Sequence, residues 1–431
     1  MSLELPVIGV PPSRTAPAGA ALLERRSAEH PSPPPARPGR EPLRADAAGP
    51  VVLVSHGFQA HYELGFANGL AYNRVPVTLL GSSTTLASRL SPGVTLLNIR
   101  GSQDPGRSRW RKLADMGRYH LRLLLQAWRL RRCTFMVIGM LRPEWLLGIV
   151  EGLLLRLTVR RLTLTVHNIL PHDRHTVLMR ATYWLIYRIP HRLVVHTEAT
   201  RRALVERFGI PPGRIVLMEH GLNDAVDRLA IGREQARQQL GIPPQRCTGL
   251  FFGHVSQFKG LDLLLDALPQ VPHFTLLVAG RCSGDDYGRA MRARLEALVR
   301  EGRVIWLDGF VDEDTVARVF AAADCTVLPY RHIDQSGVLM LSLAQGVPVL
   351  ATRVGGFTEV VHSGNGAFID EPSADAIARA LQRFTGERDR YRRSEVMRTV
   401  ERLQWRRTVE PLVEWLREEG GRPASPGTPA S

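Results

Sequence analysis

The sequence predicts an α/β protein built from two Rossmann-like, doubly wound parallel-sheet domains facing a cleft. Three observations point there. Short, continuously apolar and β-rich runs alternate with amphipathic helical stretches, as expected for strands buried on both faces by crossover helices. The alternation stops at a polar connector near 223–246 and then restarts, so two units stand in series. In the second unit the turns that follow the strands are rich in glycine and cationic residues, which is where open α/β sheets hold their ligands.

In chain order, the first ~48 residues, with PSPPPARPGR, lack apolar periodicity and read as a disordered tail. The first domain is expected over 49–222, with strands at Val51–Ser55, Val77–Leu80, Val94–Ile99, Phe135–Ile138, Leu162–Val166, Leu193–His196 and Ile215–Met218. The connector and second domain follow over 223–402. The strands expected there are Gly249–Phe252, Phe274–Ala279, Val304–Leu307, Cys325–Leu328 and Val349–Ala351. A last helical stretch over 403–418 is expected to pack back on the first domain, and 419–431 reads as a second tail. The chain of 431 residues is 44% hydrophobic, enough for packed cores.

Cys133, Cys247, Cys282 and Cys325 are widely spaced, with no pattern for a disulfide framework or a zinc site. They read as reduced thiols in a cytoplasmic protein. No secretory signal is visible at the N-terminus, and the most apolar run, Trp145–Leu157, is too short to cross a bilayer.

The formal net charge is +15, and almost all of the positive charge is arginine; the only lysines are Lys112 and Lys259. Between Arg107 and Arg132 a basic segment carries Trp110, Leu113, Leu121, Leu123, Leu124, Leu125 and Trp128. Such a helix suits the inner surface of an anionic membrane; it equally suits a solvated helix with one face on the core. No nucleic-acid-binding motif accompanies the charge, so nucleic acid is not an expected partner.

The candidate ligand residues gather at strand ends of the second unit. Gly253, His254 and Lys259 lie in GHVSQFKG after one strand, and Gly280 and Arg281 after the next. Arg331, Asp334, Gln335, Ser336 and Gly337 lie in LPYRHIDQSGV, and Glu359 follows the Gly355-Gly356 turn. Amides at a helix start opening on Ser336 and Gly337 can receive phosphate oxygens, and Lys259 and Arg331 can neutralise a departing diphosphate. A lone lysine in an arginine-dominated chain points to a site that wants a compact charge. The bland alternative is a set of ordinary βα turns with solvated charges.

The stretch Leu250–Asp370 resembles the donor-binding domain of GT-B glycosyltransferases of the bacterial group 1 family, the cell-envelope and exopolysaccharide enzymes. The elements that carry the resemblance are FFGHVSQFKGLDLLLDAL, LLVAGR, DGFVDEDTVARVFAAADCTVLPYR, DQSGVLMLSLAQGVPVLATRVGG and Glu359. It implies diphosphate contacts for Lys259, Ser336 and Gly337, and a place near the base for Val311. It also implies transfer of a sugar from a nucleotide-diphosphate-sugar, a substrate rather than a cofactor, to an acceptor hydroxyl; with the basic segment of the first unit, the expected acceptor is lipid-linked or membrane-associated, or a saccharide. Two departures stand out: His254 replaces a common arginine, and Ile333 and Leu341 occupy the places of a glutamate pair.

In the first unit TVHNILPHD places His167, His172 and Asp173 in one loop after a strand, similar to the HN-x-x-PH segment of related envelope transferases. These are the candidate catalytic residues, able to take an acceptor proton or to orient the donor sugar. His167 can equally be a hydrogen-bonded strand-end histidine, and Asp173 a helix cap. His56-Gly57 and His220-Gly221 are candidate cleft residues or plain turns. No Asp-x-Asp metal motif is present, so metal-independent transfer is expected. Sugar-nucleotide epimerisation and a non-catalytic nucleotide-sugar scaffold are the alternatives.

Overall fold

A computed structural model describes residues 49–57, 59–104, 106–139, 146–170, 176–228 and 231–420. The first part runs β1 (Val51–Val54), α1 (Ala60–Tyr72), β2 (Val77–Gly81), β3 (Val94–Asn98), α2 (Arg109–Arg129), β4 (Thr134–Val137), α3 (Leu146–Thr158), β5 (Arg161–Val166), α4 (Val177–Ile186), β6 (Arg192–Val195), α5 (Glu198–Phe208) and β7 (Ile215–Leu217). Its strands form a seven-stranded sheet in the order β3-β2-β1-β4-β5-β6-β7, every pairing parallel. The apolar runs explain this choice: strands such as β1 are buried along their whole length, as a sheet covered on both faces requires. Side-chain caps fix several helix starts: Ser108 opens α2, Thr176 opens α4 and Thr197 opens α5.

The second part runs α6 (Arg233–Gln239), β8 (Cys247–Phe252), α7 (Leu261–Ala267), β9 (Phe274–Ala279), α8 (Asp286–Arg300), β10 (Val304–Leu307), α9 (Glu313–Ala322), β11 (Cys325–Leu328), α10 (Gly337–Ala344), β12 (Val349–Thr352), α11 (Phe357–Val360), β13 (Gly366–Ile369), α12 (Ala374–Glu387), α13 (Arg393–Thr399), α14 (Trp405–Thr408) and α15 (Glu410–Gly420). The six strands pair in parallel in the order β10-β9-β8-β11-β12-β13. Strand β13 was not anticipated: its four residues, GAFI, follow the polar run HSGN and pair with β12 alone. Asp285, Asp312, Ser336 and Ser373 cap α8, α9, α10 and α12.

The connector helix α6 is fastened to the second sheet. The buried guanidinium of Arg237 donates to Asp324 at 2.5 Å and to the carbonyl of Ala322 at 2.9 Å. Asp324 also accepts the amide of Thr248 at 2.8 Å, so this buried charge pair has its remaining lone pairs satisfied.

After the second sheet the chain returns to the first. Trp405, Val409, Leu412, Val413 and Leu416 share one apolar cluster with Val51, Leu53, Tyr62 and Phe66. The Trp405 indole N–H donates to the carbonyl of Leu222 at 2.8 Å. A Cβ added at Gly65 or at Gly221 would collide with the indole ring, so α1 and the loop after β7 approach it only because both positions lack a side chain. The two expected tails fall outside the described residues, except that 419–420 continue α15. All four cysteines are buried and free. No helix among the described residues is long and apolar enough to cross a membrane.

Candidate active site in the interdomain cleft

In the second sheet the strand order reverses between β8 and β11, and this switch point is where a doubly wound sheet opens a crevice for a ligand. Lys259 follows β8 and Ser336 follows β11, so both belong to the crevice. A Cβ on Gly253 would lie 3.0 Å from Lys259 Nζ and 3.8 Å from Val338 Cγ2, which sets the ammonium beside the first turn of α10. Among the described residues no carboxylate pairs with Lys259; the ammonium stands over the face of the Tyr330 ring, 5.8 Å from the centroid. Burial lowers its pKa to about 8, because desolvation disfavours the charged form. A desolvated, unpaired cation at such a position suits an anionic ligand.

The lysine loop is held by Arg331. Its guanidinium donates to Asp262 Oδ1 and Oδ2 at 2.9 and 2.6 Å and to the carbonyl of Gln257 at 2.7 Å, and its own amide donates to the carbonyl of Phe258 at 2.7 Å. The Tyr287 hydroxyl adds a third hydrogen bond to Asp262, at 2.8 Å. Arg331, expected on the diphosphate, is therefore engaged in shaping the turn that presents Lys259. Gly280 stands under the same turn: a Cβ there would strike the carbonyl oxygen of Gly253, and its φ of 155° is one a side chain rarely adopts. His254 and Arg281 are exposed beside it. Burial first, then the charges of Lys259 and Arg281, lower the His254 pKa, so three basic groups share this rim.

Ser336 is buried and caps α10, its Oγ accepting the Leu339 amide at 3.3 Å. Gly337 and Gln335 line the interdomain cleft, and Gln335 Oε1 is buried there without a hydrogen-bond partner among the described residues. Val311 packs half-buried against the apolar cluster containing Val316 and Phe320. The remaining two candidates reach across to the first domain: Asp334 Oδ2 accepts the Ile169 amide at 2.7 Å, and Glu359 accepts the amides of Glu198 and Ala199 at 2.9 and 3.0 Å.

The cleft itself has a volume of about 310 Å³. From the first domain it is lined by Tyr62, His167, Asn168 and His220, from the second by Gln335 and Gly337, and from the C-terminal segment by Trp405. His167 Nε2 donates to the Ile138 carbonyl at 2.7 Å; since a carbonyl can only accept, the lone pair is left on Nδ1. His196 Nδ1 donates to the Met218 carbonyl at 2.8 Å and its Nε2 faces the Tyr62 hydroxyl at 3.1 Å. Burial lowers the pKa of His167 and of His220 to about 4 and that of His196 well below its ordinary value. At neutral pH this cluster is uncharged. His172 and Asp173 lie outside the described residues.

His56 points elsewhere. Its Nδ1 meets the Tyr119 hydroxyl at 3.0 Å and its Nε2 stands 3.3 Å from the buried Glu151. Burial alone would raise the Glu151 pKa, but His56 and His120 outweigh it and hold the carboxylate at about 2. His56 thus ties β1 to α2 and α3. Gly57, at φ 78°, makes the turn after it, its amide donating to Ser55 Oγ at 3.1 Å.

Residue-type reasoning overlooked Tyr62, His196, Glu151 and Trp405. His196 carried one usable signal, since it follows a strand end of the same sheet as His220, which the cleft does include. Glu151 was hidden inside an apolar helix.

Residues 246–387 match the family model described as glycosyl transferases group 1. A D-inositol 3-phosphate glycosyltransferase of Thermomonospora curvata is 32% identical over 242 residues, covering 52% of this chain and 56% of the relative. The enzyme of the same name from Mycobacterium tuberculosis strain F11 is 30% identical over 239 residues, covering 53% of this chain and 49% of the relative. The chain thus spans about half the length of the curated relatives it matches. Among solved structures, sucrose-phosphate synthase from Thermosynechococcus elongatus superposes with a TM-score of 0.68 at 20% identity, over 86% of this chain and 99% of that one. Anabaena HepE, solved with UDP and glucose, gives 0.66 at 18% identity over 85% and 98%. The chain has the two-domain GT-B fold, and residues 246–387 of its second domain match the glycosyl transferases group 1 family model.

Proposed function

We propose that the protein is a glycosyltransferase that moves a sugar from a nucleotide-diphosphate-sugar to a hydroxyl of a lipid-linked or membrane-associated acceptor, without a metal ion, at the inner face of the cell membrane. The observation that carries the donor half is the unpaired Lys259 ammonium set beside Gly253 and the start of α10. As the sugar bond breaks, negative charge grows on the diphosphate. A preorganised cation and free helix-start amides there stabilise that charge more than the ground state. The UDP complexes of Anabaena HepE support a nucleoside diphosphate as the ligand class.

His167 fits the sugar end. Its pKa of about 4 makes it a weak base at neutral pH, and its Nδ1 lone pair suits a hydrogen bond from a sugar hydroxyl better than removal of an acceptor proton. The acceptor half rests on the first domain, where the basic helix α2 exposes Trp110, Leu113, Leu121 and Trp128. An epimerase needs no such surface.

A thermal-shift screen of nucleotide sugars tests the donor reading. A donor present at a hundred times its Kd should stabilise the fold by ~2.7 kcal/mol, and transfer should persist in a chelator. A flat response across all nucleotide sugars would remove the proposal.

A further inference from the structure

Helix α2 has three faces. Tyr119, Leu123 and Ala127 are buried against the sheet. Trp110, Leu113, Leu121, Leu125 and Trp128, spaced at i+3, i+4 and their sums, form an exposed apolar stripe. Between these two faces Arg111, Asp115, Arg118 and Arg122 point to one side. There, with the loop after β3, they line a recess of about 350 Å³.

Five arginines reach this recess: Arg100, Arg107, Arg111, Arg118 and Arg122, against two carboxylates, Asp104 and Asp115. Asp115 answers two of them, with Arg107 at 2.7 Å and Arg118 at 3.3 Å. Asp104 is turned to the loop, where its carboxylate accepts the Gly106 amide at 2.8 Å. Arg100 lies over the Tyr119 ring, 4.8 Å from its centroid. Arg111 and Arg122 have no acidic partner among the described residues. The recess therefore concentrates positive charge in a concave polar space, which costs free energy through self-repulsion unless an anion enters.

We infer that this recess is a phosphoryl-binding site, and that the phosphate it takes is carried by a lipid. Arginine forks match phosphate oxygens in pairs, which accounts for the phosphoryl group. The apolar stripe of the same helix accounts for the lipid. When the stripe enters the membrane interface, the arginine face is brought to headgroup depth beside it. Helix α3 adjoins α2 and adds Leu153 and Leu157 to the exposed apolar surface, and α4 adds Val177, Leu178 and Trp184. The site lies apart from the donor crevice and goes beyond sugar transfer in specifying how the first domain holds an anionic amphiphile.

The test uses the full chain with phosphatidylglycerol vesicles, phosphatidylcholine vesicles and soluble sn-glycerol 3-phosphate, with binding read by flotation and by calorimetry. Wild type should float with phosphatidylglycerol and not with phosphatidylcholine. Replacing two cations near the surface, as in R111A/R122A, should weaken flotation on the order of 30-fold. The deciding variant is R111K/R122K, which keeps the charge and loses the forks: it should still weaken binding several-fold. L121S/L125S should abolish flotation yet leave the recess intact.

Unchanged binding by R111K/R122K would overturn the recess as a built site, even if L121S/L125S shows that the membrane contact itself is real. Equal affinity for soluble sn-glycerol 3-phosphate and for vesicles, or no flotation with phosphatidylglycerol, would overturn the lipid-borne source. The thermal shift produced by UDP-glucose, unaltered in these variants, separates failure here from failure of the donor reading.

Discussion

The carboxylate of Glu359, in the second domain, closes the start of helix α5 in the first, its Oε1 accepting the amide of Ala199 at 3.0 Å. Those first amides of a helix have no partner within it, so a carboxylate from another domain serves as their cap. Asp334 makes the matching contact at Ile169. The two lobes are thus clasped by acceptors at the cleft margin. Glu359→Ala should speed hydrogen exchange of the amides of Glu198 and Ala199 and cost about 0.5–1 kcal/mol, the lower part of the range for a lost cap. Unchanged exchange at those amides would show that the clasp does not persist in solution.

On the proposed donor reading, Lys259→Ala should weaken binding of the nucleoside diphosphate that most stabilises the wild type by about 10- to 100-fold, the loss expected for a charge-assisted hydrogen bond. Because the anion favours the protonated amine, whose pKa in the free protein is about 8, affinity should decline as pH rises through that value. Calorimetric titration across pH 6.5–9.5 checks both statements, and a pH-independent affinity would contradict the second.

The uncharged histidines make the fold sensitive to acid. For His167 and His220 burial depresses the pKa to about 4, below the ~6.5 of an unfolded chain. Above pH 6.5 neither state is protonated and stability is full. As pH falls from 6.5 towards 4 the unfolded state takes up protons that the folded state refuses, and stability is lost, by up to roughly 3 kcal/mol per histidine. His120 has the opposite sign. Its hydrogen bond to Glu151 raises its pKa, so its contribution is present below 6.5 and lost as pH rises through the raised value. Melting temperatures from pH 4.5 to 7.5 should rise with pH, and His220→Asn should flatten the slope.

Trp405→Ala should destabilise the protein by about 3–5 kcal/mol, the cost of removing a buried aromatic from a close-packed site. Collapse is hindered because α1 and the loop after β7 already approach the ring through Gly65 and Gly221. Thermal denaturation of the variant, with near-ultraviolet circular dichroism to verify packing, measures it.

Strands were legible where their residues ran apolar: central strands such as β1 are buried along their whole length, the partly exposed edge strands β3 and β7 keep short apolar runs, and all but β13 follow from such runs. Strand β13 was missed because it opens on Gly-Ala after the polar run HSGN, which leaves Phe368 and Ile369 as its only large apolar residues. At the site, the turns bearing Lys259 and Ser336 could be read from their order after strands. The engagement of Arg331 with Asp262 could not, since the two residues are far apart in sequence and either has many solvated alternatives. The same holds for Glu359 and Ala199, and for Glu151, whose partners His56 and His120 come from different elements. Side-chain type announces a charge, while its partner is chosen by the tertiary fold.

The return of Trp405, Val409 and Leu412 to the core of the first domain has a consequence for biosynthesis. A ribosome emits the first sheet long before it emits the segment that covers one side of it. Until the last part of the chain emerges, Phe66 and its neighbours are left without their cover, a surface for chaperones or for aggregation. A fragment ending before Trp405 should therefore be recovered mainly as insoluble protein, and supplying the missing segment in trans should restore solubility.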